Sequence, residues 1–112
     1  MTKVGEHITL DILGATKDHD SKFFEKLVYK IAKKAKVTVL EISKYKFEPQ
    51  GFTLVALLAE SHISFHTFPE RGVISFDFFT CGKVNPKVAL KILRKEIDHR
   101  RVVTNAFDRS SV

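Results

Sequence analysis

The order β-α-β-β-β-β-α-β, with two amphipathic helices, six short β-branched or aromatic runs and no Pro-, Gly- or Ser-rich linker, predicts a single α+β domain. The sheet is expected to be mainly antiparallel with both helices on one face. A length of 112 residues with 44% hydrophobic content suffices for one compact core, and ten Phe with no Trp supply its large apolar groups.

The strands are expected at residues 7–13, 37–42, 52–59, 63–68, 73–79 and 101–107, where β-branched and aromatic side chains dominate. The first helix is predicted over residues 21–35. Phe23, Phe24, Leu27, Val28, Ile31, Ala32 and Ala35 recur there with a 3.6-residue period, and Asp18, Asp20 and Ser21 offer N-cap oxygens upstream. A second helix starts where Asn85 can cap and Pro86 can take the first helical position, with Val88, Ala89, Ile92, Leu93 and Ile97 as its buried stripe.

The net charge of +6 invites a nucleic-acid reading, but the sequence distributes it along solvent faces. Lys22, Lys26, Lys30, Lys33 and Lys34 lie opposite the first apolar stripe, and Lys87, Lys91, Arg94 and Lys95 lie opposite the second. No nucleic-acid partner is therefore expected. No apolar run is long enough to span a membrane, and the N-terminal MTKVGEHITLDILG lacks the apolar core and cleavage site of an export signal. The single Cys81 cannot close an intrachain disulfide, which fits a reducing cytoplasm.

The segment 52–59 is apolar on both sides, so the sheet face away from the helices needs a cover. A second copy of the sheet would supply it. The run TLVALLAESHISFHTF is too long for an average strand and places Glu60, Ser61 and His62 among apolar residues. Such a cluster is either hydrogen-bonded structure or a site, because burying those groups unpartnered is costly.

Hairpin arithmetic bears on that choice. Phe68-Pro69-Glu70-Arg71-Gly72 is a turn signal, with Pro setting φ and Gly free to take positive φ. With residues 69–72 as the loop, partners' numbers sum to 141, so Ser61 faces Thr80 and Cys81 lies opposite Glu60. His62 and His66 fall roughly 13 Å apart on a strand, too far to share one metal ion. His66 is five residues from Ser61, and alternation puts them on opposite faces. Either the strand breaks, or His66 acts across a dimer.

LAESHISFHTFPERG followed by FFTCG, with Val4-Gly5-Glu6-His7, the Lys46-Phe47 to Gly51 segment and the downstream helix, closely resembles the bacterial and archaeal S-adenosylmethionine decarboxylase proenzyme family. The resemblance covers nearly the whole chain. It implies self-cleavage between Glu60 and Ser61 into residues 1–60 (the β chain) and 61–112 (the α chain), leaving Ser61 as an N-terminal pyruvoyl group. That group would bind the substrate amine as a Schiff base and act as electron sink, with no metal and no pyridoxal phosphate. It further implies His66 as processing base, Cys81 as proton donor and Thr53 as a processing hydroxyl where the family often has Ser. Phe47, Phe68 (Trp in many members) and Glu70 would hold the substrate, S-adenosylmethionine, whose decarboxylated product feeds spermidine synthesis. The same resemblance implies an αββα sandwich formed by a homodimer with active sites near the interface, which fits the uncovered sheet face and the facing of His66; Thr53 and His66 are therefore expected to act on the partner's Ser61. Arginine or ornithine decarboxylases of this fold, and a non-catalytic binding or regulatory module, are the alternative readings.

Overall fold

A computed structural model describes residues 3–110. Its elements are β1 Lys3–Leu13, α1 Ser21–Ala35, β2 Val39–Lys46, β3 Phe52–Leu58, β4 Ser61–Phe68, β5 Val73–Cys81, α2 Val88–Glu96 and β6 Arg101–Ser110. The six strands form one sheet in the order β2-β3-β4-β5-β1-β6, antiparallel at every pairing. The α+β expectation and the element order hold throughout.

α1 has the predicted limits. Asp20 Oδ1 accepts from Phe23 N at 3.0 Å at its start, and Lys36, at φ 62°, ends it by donating to the Ala32 and Lys33 carbonyls. α2 starts two residues later than predicted. Pro86 and Lys87 form a tighter turn, with Ala89 N to Pro86 O and Leu90 N to Lys87 O both at 3.1 Å, while Asn85 Oδ1 caps Lys87 N at 3.0 Å.

The helices share one sheet face. Phe24 of α1 meets Phe52 and Phe65, ring centroids 5.2 and 5.0 Å apart, and Phe65 meets Phe76 at 5.0 Å. Along β3, Phe52, Leu54, Ala56 and Leu58 are buried beneath the helices, whereas Val55 and Leu57, on the other face, stay 41% and 51% exposed. Period-2 alternation thus leaves a helix-free face with exposed apolar groups.

Candidate active site

The hairpin register is the one predicted from the Pro69–Gly72 signal: partners run from Phe68↔Val73 to His62↔Phe79, always summing to 141. Pro69–Arg71 form a single 3₁₀ turn, and Gly72 takes φ 63°. The long apolar run breaks into two strands at a two-residue turn, Ala59–Glu60, closed by the pair Leu58↔Ser61. Ser61 is the first residue of β4 and 7% exposed, while Glu60 is exposed. Continued by one step, the register sets Thr80 across from Ser61, and by a second step the half-buried Cys81 across from Glu60.

β4 does not break between Ser61 and His66. Ser61, Ile63, Phe65 and Thr67 point toward the helices, and His62, Ser64 and His66 toward the open face. Five strand residues also span roughly 16 Å. His66 is thus removed from its own Ser61 by both facing and distance. Its cross-strand partner is Thr53, whose Oγ1 lies 3.0 Å from His66 Nδ1. With Nδ1 engaged, Nε2 is the nitrogen available for proton transfer.

The predicted site residues therefore sort into two groups at opposite ends of the β3–β4–β5 ribbon. Glu60, Ser61 and Cys81 lie where β4 begins and β5 ends. Thr53, His66 and Phe68 lie where β3 begins and β4 ends, flanked by Phe47 after β2 and Glu70 on the 3₁₀ turn. Phe47 and Phe68 are 48% and 41% exposed, and Tyr45 packs on Phe47 with centroids 5.0 Å apart. Exposed aromatic rings thus stand in one half of the ribbon, and the other half holds the Ser61 hydroxyl on the helix side of the sheet and the Cys81 thiol on the open side.

Gly5 matters at the first half. It pairs with Cys81, and a β-carbon at Gly5 would meet the Thr80 carbonyl oxygen at 2.0 Å. Only glycine lets β1 approach β5 this closely beside the thiol.

Between the halves lies a polar cluster that the sequence reading did not assemble. Asp77 accepts from His7 Nε2 at 2.6 Å and His62 Nε2 at 3.1 Å on Oδ2, and from Ser64 Oγ on Oδ1. Burial pushes the Asp77 carboxyl upward, but the hydrogen bonds from Ser64, His7 and His62 and the charge of His62 outweigh it, holding the carboxyl below its ordinary range. His62 stacks on Phe79, and Arg109 reaches over the Phe79 ring at 5.6 Å. The parity signal was available, because Ser64 and Asp77 also sum to 141.

Ligand atoms of His7, His62 and Asp77 lie within 4.8 Å of one another, close enough to suggest a metal. The tautomer opposes it. Arg109 Nη1 lies 3.2 Å from His7 Nδ1 and can only donate, so the His7 proton sits on Nε2 and faces Asp77. A metal-ligating histidine would need its outer nitrogen to donate instead. The cluster is a hydrogen-bonded strut across β4, β5 and β1.

The chain is similar to several known proteins. A family profile described as S-adenosylmethionine decarboxylase matches residues 6–110. The chain is 39% identical over 111 residues to an S-adenosylmethionine decarboxylase proenzyme of Prochlorococcus marinus (strain MIT 9313), covering 96% of this chain and 89% of that protein. It is 44% identical over 85 residues to the proenzyme of Methanococcus vannielii, covering 74% of this chain and 70% of that one. The crystal structure of the adenosylmethionine decarboxylase from Aquifex aeolicus VF5 superposes with a TM-score of 0.86 at 30% identity, covering 100% of this chain and 95% of that one.

Proposed function

Because this chain belongs to the S-adenosylmethionine decarboxylase family, we propose that it is a proenzyme that cuts itself between Glu60 and Ser61 and decarboxylates S-adenosylmethionine with the pyruvoyl group so formed. The local geometry fits such a group. The cut opens an exposed two-residue turn, while Ser61 stays anchored at the head of β4 with the Cys81 thiol on the neighbouring strand. The pyruvoyl carbonyl supplies an electron sink for the carboxyl's departing bond pair.

The residues then divide the work. The Ser61 hydroxyl attacks the Glu60 carbonyl, and His66 Nε2, its ring set by Thr53, removes the Ser61 α-proton that releases residues 1–60. Cys81 returns a proton to the product carbon, its S–H acting as the general acid. Phe47 and Phe68 offer ring faces to the adenine and the sulfonium, and Glu70 offers its carboxylate to ribose hydroxyls.

The observation that carries this reading further is the separation of the two half-sites on one chain. Neither half is complete alone. A two-fold stacking of open faces would set the ribbon end that carries Glu60, Ser61 and Cys81 of one protomer against the end that carries Thr53, His66, Phe47, Phe68 and Glu70 of the other, and it would cover Val55 and Leu57. The site is thus built across a homodimer.

Mixing Ser61→Ala chains with His66→Ala chains tests this reading by intact mass. In mixed dimers the His66→Ala chain should be cut, because its Ser61 meets an intact His66, while the Ser61→Ala chain stays whole. Failure of both chains to be cut, with mixed dimers verified, would exclude the shared site. Release of CO₂ from S-adenosylmethionine, and not from arginine or ornithine, checks the substrate.

A further inference from the structure

Among the described residues, only Lys36 and Glu60 take positive φ without being glycine, both at 62°. Lys36 ends a helix, where the left-handed conformation is common. Glu60 has no such setting. It is the second central residue of a two-residue hairpin turn whose first central residue, Ala59, is not in the positive-φ region. The turns that suit the right-handed twist of paired strands, types I′ and II′, need positive φ at that first position. The Ala59–Glu60 turn therefore works against strand twist and sets a β-carbon-bearing residue in the left-handed region.

The surroundings hold this conformation in place. Leu58 and Ser61 on either side are 1% and 7% exposed, and Ala59 N donates to Thr38 O at 2.9 Å. A sparsely populated conformation persists only where its surroundings enforce it. This one adjoins the bond proposed to break.

We infer that the left-handed Glu60 stores strain at the Glu60–Ser61 peptide and that this strain drives the first step of self-cleavage. The inference rests on the cleavage reading above. In that step the Ser61 Oγ lone pair forms a bond to the Glu60 carbonyl carbon, the carbon–nitrogen bond breaks, and the hydroxyl proton ends on the freed nitrogen. The step is an isomerisation, with no atom gained or lost. The chain path from the Glu60 carbonyl carbon to the Ser61 α-carbon changes from one intervening atom, nitrogen, to two, Oγ and Cβ. The added atom lets Glu60 leave the left-handed region, so the ester is relieved of strain that the amide carries.

The test compares Glu60→Ala with Glu60→Gly. Both lose the carboxylate, but only alanine keeps the β-carbon that makes positive φ costly. The Glu60→Ala chain should be cut about five-fold faster than the Glu60→Gly chain, a ratio equivalent to about 1 kcal/mol, with the uncut fraction followed by intact mass. In the uncut Ser61→Ala background the order of stability should reverse, with Glu60→Gly melting about 5 °C above Glu60→Ala. Equal cleavage rates, or no gain in melting temperature for glycine, would overturn the inference while leaving the cleavage reading intact. A wild-type chain that stays whole would overturn the cleavage reading and the inference with it.

Discussion

At the scale of single residues, Asp77 joins three strands through one carboxylate. It accepts hydrogen bonds from His7 on β1 and from His62 and Ser64 on β4, and these bonds hold it ionised below the usual carboxylate range despite burial. Its folded-state pKa lies below the unfolded value. Its stabilising contribution is therefore full above the ordinary Asp range, about pH 4, and is lost as pH falls through the folded value. Asp77→Asn, studied in the uncut Ser61→Ala protein by urea unfolding, should cost about 2 kcal/mol at pH 7 and progressively less below pH ~4. A pH-independent difference would mean that the carboxylate charge contributes nothing. His66 and Thr53 were readable as a pair only once β3 and β4 had a register. The two-residue turn provides it.

At the scale of elements, periodicity and capping signals in the sequence carried the helices well. α1 has the limits its apolar stripe and Asp20 indicate, and Asp20→Ala should lower stability by about 1 kcal/mol, visible as a fall of several degrees in melting temperature. No fall would show that water replaces the cap without loss. α2 was legible in its stripe but not in its first turn, because a proline at the start is compatible with both a helical and a 3₁₀ entry. Strand ends were legible to within a few residues. β1 reaches back to Lys3 and β6 on to Ser110 because each lengthens the ladder of the other. That lengthening depends on long-range pairing.

At the scale of the whole molecule, the strand order would hold the two pieces of a cut chain together. β1, on the 1–60 side of the proposed cut, lies between β5 and β6 on the other side, and β3 pairs with β4 across it. The sheet is threaded from both pieces, so breaking the Ala59–Glu60 turn leaves every ladder in place. No helix among the described residues is long and apolar enough to cross a membrane. The open face, on which Val55 and Leu57 are exposed, is the surface proposed to stack on a second sheet. Leu57 lies on it opposite Glu41, so Leu57→Lys should be tolerated in the monomer yet prevent stacking. Sedimentation should then show monomers, and self-cleavage should fall roughly tenfold or more as the shared site loses its alignment. A dimeric, normally cut Leu57→Lys protein would exclude the open face as the interface.

Local chemistry wrote much of this protein into its sequence. The helical period, the proline–glycine turn and the alternation of β4 were enough to yield the fold class, the register that sums to 141 and the opposite facing of Ser61 and His66. Tertiary structure decided what depends on contacts distant in the chain. It brought His7 and Asp77 together, 70 positions apart, gave Gly5 its close approach beside Cys81, and set Glu60 in the left-handed region. Side-chain period is a property of neighbouring residues. Which strands lie side by side, and which backbone must strain to let them, is a property of the packed sheet.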